Sequence, residues 1–169
     1  MPQSLTHLFL VAVCTVGLAR PLVGQGSLAP PPLIPYGLAI STESAKIAAA
    51  GAVAEARSHG WAMAIAVVDP GGYLVYFEKM QDTQTGSVEL AMEKARTSAL
   101  FRRPTKVFQD AVAGGGDGLR VLRLTGTIPN EGGVPIIVEG KVIGAIGISG
   151  GSVEQDGQAA RAGTAAVKR

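Results

Sequence analysis

The side chains with chemistry to offer fall into four groups. Lys94, Arg96, Arg102, Arg103 and Lys106 gather cations within a short stretch, and guanidinium groups hold carboxylates or phosphates through paired hydrogen bonds. Asp69, Glu131 and Asp156 are acids able to move a proton on a small substrate. His59 and Met80 are the donors open to a metal or a haem iron. The fourth group is the small-residue stretch "GAIGISGGSVEQDGQAARAG", 144–163. There a helix start beside Ser149 and Gly150 offers backbone amides to an anion.

Each group also has a plain structural reading. Cations near a helix C-terminus offset its dipole, and Glu89 and Glu93 share that helix. Asp69-Pro70-Gly71-Gly72 is what a tight turn requires. A histidine at a helix end and a methionine ending a strand are ordinary, and Tyr36, Tyr73 and Tyr76 are ambiguous. Ser152-Val153-Glu154-Gln155 fits a capping box, with Ser152 at the N-cap and Gln155 reaching back.

Several chemistries are excluded. Gly144, Gly147, Gly150 and Gly151 are not spaced as G-x-G-x-x-G, and no Lys follows Gly151 as a P-loop demands. Gly147-Ile148-Ser149-Gly150-Gly151 lacks the parallel strand–helix setting of a nucleophile elbow. His59 has no HxxH or HExxH partner. Cys14 is the only cysteine and lies in the leader described next, so Cys–His catalysis and Cys-ligated metals are out.

The N-terminus reads as a separate object. Leu8 to Ala19 is an uncharged run of signal-peptide length, so residues 1–24 are expected to direct export to the periplasm or beyond. Residues 25–37 are Pro-rich and read as a tether, leaving one domain over 38–169. Without Arg20 the remaining chain carries 14 basic and 13 acidic residues, a near-neutral balance that points away from nucleic acid.

The elements that must position the candidate residues follow from periodicity. Residues 42–59 are Ala-rich at helical spacing, with Gly60 as a stop. "MAIAVVD" and "LVYFEKM" form two strands across Pro70-Gly71-Gly72. A helix over 87–103 is closed by Pro104, and a short one over 105–113 is ended by three glycines. "VLRLTGTIPNEGG" suggests a strand and a turn, and "VPIIVEGKVIGAIGIS" a second hairpin. The last helix spans 153–168, with Val153, Gly157, Ala160, Gly163 or Thr164, and Val167 on a narrow small-residue face. The order is α-β-β-α-α-β-β-β-α. It implies an α+β domain with a largely antiparallel, five-stranded sheet flanked by helices.

Four stretches carry a resemblance: "IAVVDPGGYLVYFEKM" (65–80), "SVELAMEKARTSALFRRPT" (87–105), "GGVPIIVEGKVIGAIGISGGSVEQD" (132–156) and "AARAG" (159–163). In this order they resemble the GlcG/HbpS-like haem-binding domain over residues 38–168. The resemblance implies an antiparallel α/β domain, a homo-oligomer and a haem or related tetrapyrrole ligand. Some members degrade haem or sense redox state beside a membrane kinase; others accompany glycolate or small-alcohol catabolism. Lys79-Met80-Gln81-Asp82 departs from the family's Arg-Met-Asp-Gly-type turn.

Under that resemblance the ligand is expected between the helix bearing Lys94, Arg96, Thr97 and Phe101 and the segment from Gly132-Gly133 to Gln155. Arg96, Arg102 or Arg103 would pair with propionates, Phe101 and Met80 would touch the ring, and His59 or Met80 would meet the iron. Ser149 and Gly150 would border the pocket. Two rivals stand beside it. One is an enzyme on a small hydroxy- or oxo-acid, with Asp69, Glu131 or Asp156 as the acid–base group and an oxidoreductase partner. The other is an assembly module without chemistry, attached to a membrane partner.

Overall fold

The computed structural model describes residues 33–167. The leader 1–24, most of the tether and residues 168–169 lie outside the described residues. Helix α1 (Thr42–Ser58) leads to strands β1 (Ala64–Val68) and β2 (Leu74–Lys79). Helices α2 (Ser87–Phe101) and α3 (Lys106–Ala113) follow, then a 3-10 helix (Gly116–Arg123). Strands β3 (Gly133–Val138) and β4 (Lys141–Ser149) and helix α4 (Val153–Ala166) complete the domain. The sheet order is β2-β1-β4-β3, with every neighbouring pair antiparallel.

The architecture is α+β as expected, but the sheet has four strands and not five. The strand expected within "VLRLT" is instead part of the 3-10 helix and the loop after it. Gly115 and Gly116 take positive φ (68° and 54°) and turn the chain back toward α3. Gly118 then lies against the Ala111 backbone, where a Cβ has no room. Leu119 and Leu122 recur at three residues, the repeat of a 3-10 helix. Helix α2 also stops two residues early. Arg102 adopts φ 52° as a left-handed C-cap, a common helix end, and the residue before Pro104 is disfavoured in a helix.

Two different cores hold the sheet. Ile65, Val67, Ile136, Ile146 and Ile148 face α1 and α4. The other face presents Ala64, Ala66, Val68 and Ala145 to Ala91, Ala95 and Ala99 of α2. Strand β1 (AIAVV) thus sends alternate side chains to two buried faces. Gly147 completes the small face, since a Cβ there would collide with the backbone of Ala91 and Ala95. Helices α1 and α4 also cross closely, Gly51 lying against Ala162 and Ala166.

The end of the tether is part of this domain. Gly37 N–H donates to Val142 O at 2.9 Å and Val142 N–H to Pro35 O at 2.8 Å. The Tyr36 hydroxyl reaches the carbonyls of Ala99 and Leu100 at 3.1 and 3.0 Å. Arg102 donates to Ile34 O at 3.1 Å, and its guanidinium lies 4.8 Å from the centre of the Tyr36 ring.

Candidate functional site

Where α2, β3 and α4 meet, the chain buries an ion pair. Lys94 Nζ donates to Asp156 Oδ2 at 2.6 Å, with side-chain exposures of 1% and 3%. The Gly151 amide donates to Asp156 Oδ1 at 3.0 Å. Gly132 (φ 128°) and Gly133 pass directly over the pair. A Cβ on Gly132 would press on Asp156 and on the Lys94 side chain, and one on Gly133 on the Lys94 carbonyl. Thr105 clamps the same strand start, accepting from Gly133 N–H at 2.9 Å and donating its own amide to Gly133 O at 3.0 Å. Burial pushes the Asp156 carboxyl above its ordinary value, against the lowering pull of the Lys94 ammonium and the Gly151 and Gly150 amides. Both carboxylate oxygens are engaged inside the protein, so the pair fastens α2 to α4.

Ser149 and Gly150 form a packed corner beside this knot. Ser149 Oγ lies 3.3 Å from Ser87 Oγ, both buried, and a Cβ on Gly150 would strike the Ala62 carbonyl. The next residues start α4 with the expected capping box. Gln155 N–H donates to Ser152 Oγ at 3.4 Å, and Ser152 N–H to Gln155 Oε1 at 2.9 Å.

Two cavities flank the segment 126–133. One, of about 230 Å³, lies between Glu93, Arg96 and Thr97 of α2 and Gly126 to Ile128. Thr97 shapes it, its hydroxyl donating to Gly126 O at 3.2 Å and accepting from Ile128 N–H at 3.1 Å. The other, of about 340 Å³, opens between α3, the start of β3 and α4. Glu131 is in its wall, 5% exposed, with Oε1 accepting from Arg161 Nη1 at 2.8 Å. The Glu131 amide is held by Gln109 Oε1 at 2.8 Å. Gly157 of α4 leaves room for the Glu131 carboxylate, which a Cβ there would displace.

The other candidates lie apart from both cavities. Phe101 meets Phe108 edge to face at 5.3 Å, and Arg103 lies over Phe108 at 5.8 Å while donating to Phe101 O at 3.1 Å. Arg102 is spent on Ile34 and Tyr36. Asp69 organises its turn, Oδ1 accepting from Tyr73 N–H at 3.0 Å. Met80 packs against the α1-side core, and its amide donates to Met63 O at 3.0 Å. His59 caps α1, with Nδ1 3.0 Å from Glu55 O and 2.9 Å from Ser58 Oγ and its ring stacked on Trp61 at 4.4 Å. Among the described residues no group of three or more His, Cys, Asp or Glu side chains is placed to hold a metal.

The structure therefore brings Arg96 to Thr97, Phe101 to Arg103, and Gly132, Gly133 and Gly150 to Asp156. Neither His59 nor Met80 lines either cavity. Sequence reasoning missed the burial of Lys94 and the pairing of Glu131 with Arg161. The weak signal for the second was a lone Arg within the last helix, one turn after Gly157.

A four-stranded antiparallel sheet with two helices on one face and an alanine-lined helix on the other, joined by a buried Lys–Asp pair, defines an α+β domain architecture. Residues 40–165 match the family model described as "Haem degrading protein HbpS-like", and the chain belongs to that family. Protein GlcG of Escherichia coli K12 is 37% identical over 110 residues, spanning 65% of this chain and 81% of GlcG. A crystal structure of a PduOC–haem complex superposes with a TM-score of 0.70 at 31% identity, covering 78% of this chain and 96% of that one. A double mutant of Streptomyces reticuli HbpS superposes with a TM-score of 0.72 at 27% identity, covering 89% and 99%.

Proposed function

We propose that this protein binds haem or a closely related tetrapyrrole. The observation that carries the reading is the likeness to a relative solved with haem, which spans 78% of this chain at 31% identity. Cavities of about 340 and 230 Å³ stand at or below the low end of small-molecule pockets, roughly 300–1,000 Å³, so the macrocycle lies across an open face or between copies of the chain. Of the two iron-ligand candidates His59 fits the chemistry. In the tautomer with Nδ1 protonated, Nδ1 donates to the Glu55 carbonyl at 3.0 Å and the Nε2 lone pair is left for a metal. Its side chain is 43% exposed, and the Trp61 ring holds its plane. Met80, in contrast, spends its side chain on the core. Exposed Arg96 supplies a cation for a propionate. Bound haem supplies a redox-active iron; the chain orients it and limits its access to water.

In the same reading the protein is exported by its leader and works as a homo-oligomer. It hands haem or its redox state to a membrane sensor or an oxidoreductase. Titration of the purified protein with haemin tests the core of this. A saturable Soret shift at micromolar haemin is expected, with His59→Ala altering the band position. No saturable shift in the wild type refutes the reading.

A further inference from the structure

The larger cavity has a chemistry of its own, independent of the haem reading. Its apolar wall is made by Pro104, Val107 and Val134, and Val107 is 46% exposed although it sits at the start of a helix packed on the domain. Four charged side chains complete it: Lys106 and Arg161 as cations, Asp110 and Glu131 as anions. The two acids differ in depth. Asp110 is 58% exposed at the mouth, paired with Lys106 at 2.7 Å, while the Glu131 side chain is 7% exposed. Among the described residues Glu131 Oε1 has one side-chain partner, Arg161, and Oε2 has none. A carboxylate paired with a guanidinium accepts only, so the ligand group meeting Oε2 must donate. A cationic donor also offsets the desolvation of a carboxylate this deep. At the mouth, Lys106 and Arg161 are 49% and 57% exposed, and each keeps N–H donors beyond those given to Asp110 and Glu131 that a ligand carboxylate can accept.

We infer that this cavity is a binding site for a small zwitterion with an apolar body, an α-amino acid of about leucine size. The ammonium meets Glu131 Oε2 on the buried side and the carboxylate lies between Lys106 and Arg161. The side chain covers Val107 and Val134. Two cations and two anions on the wall leave a neutral, dipolar ligand as the charge-matched occupant. Each of these charges already has one partner on the wall, Arg161 for Glu131 and Asp110 for Lys106. A simple carboxylate or a simple amine would therefore engage one end of the site only, where the zwitterion engages both. Gly157 is part of the design, because any side chain there would push Glu131 out of the wall.

The test is calorimetric titration of the full chain with L-leucine, 4-methylpentanoate (leucine without its ammonium) and 3-methylbutylamine (leucine without its carboxylate). Amide chemical shifts are followed in parallel. Leucine is expected to bind saturably and to shift the Val107, Gly133 and Val134 amides. Each truncated ligand should bind at least about tenfold more weakly. Glu131→Gln should weaken leucine by about tenfold or more. Exposed Lys106→Met, which leaves the fold intact, should do the same by a smaller factor. No saturable leucine binding by ~10 mM overturns the inference, as does equal affinity for 4-methylpentanoate, or shifts confined to other parts of the domain. Haemin binding is read separately from the Soret band, so either result stands without the other.

Discussion

Removing one partner of the Lys94–Asp156 pair exposes how the domain is fastened. In Lys94→Met the Asp156 carboxylate keeps the Gly151 amide but loses its ammonium partner at 2.6 Å in a site only 3% exposed. An uncompensated buried charge of this kind costs about 3–5 kcal/mol. For a domain of this size that lowers Tm by roughly 10 °C. Asp156→Leu strands the ammonium instead and should cost a similar amount. The double variant Lys94→Met/Asp156→Leu removes both charges, and similar apolar volume at such sites is neutral or stabilising, so it should recover most of the loss. The two single effects must then be non-additive by about 3 kcal/mol or more. The pH dependence has a definite sign. Burial already raises the Asp156 carboxyl, so its contribution to stability is greatest below the ordinary aspartate value and is lost as pH rises through the folded one. Loss of Lys94 raises that carboxyl further, so the Lys94→Met penalty should shrink as the solution is acidified. Urea denaturation of the four proteins across pH measures all of this. Single variants costing under about 1 kcal/mol, or an additive cycle, would refute the view that this pair joins α2 to α4.

Two further outcomes follow from packing. Gly147→Ala pushes a methyl into the backbone of Ala91 and Ala95 and should cost about 1–3 kcal/mol in thermal denaturation, with the upper end expected because neither backbone can move aside. Tyr36→Phe removes the hydroxyl shared by the Ala99 and Leu100 carbonyls. It should cost about 1 kcal/mol and speed hydrogen exchange at the Gly37 and Val142 amides, while an unchanged exchange rate would show that the contact does not hold the segment.

How far these features were legible in the sequence depended on how local they are. The helices of α1 and α4, both hairpins and the Ser152–Gln155 capping box rest on neighbours within a few residues, and all were readable from spacing. The fifth strand failed for a local reason as well. Leu122 and Leu124 alternate like a strand, but Leu119 and Leu122 also fit a 3-10 repeat, and the positive-φ glycines before them decided between the two. The site was harder because its partners are distant in sequence. Lys94 is drawn inside by a carboxylate 62 residues away, and Glu131 meets Arg161 across 30. A lysine or glutamate is ordinarily read as solvated, and nothing in its immediate sequence says otherwise. Arg102 reads in the sequence as one of three propionate candidates beside Arg96 and Arg103, because its contact with Tyr36 is visible only once the end of the tether is folded back.

The alanine seam beneath α2 has a consequence beyond fit. Alanine and glycine have no rotamers to lose on folding, so Ala64, Ala66, Ala91, Ala95, Ala99, Ala145 and Gly147 join helix to sheet with almost no side-chain entropy lost. Val68, Phe77 and Met92 lie in or against the layer, but at its alanine and glycine contacts there is no flexible side chain to absorb a displacement. The helix that carries Arg96 and Thr97 toward one cavity and Lys94 toward the buried pair is therefore seated backbone on backbone, as a stiff shelf. A ligand bound against it meets groups already in position, and most of the ordering cost falls on the ligand.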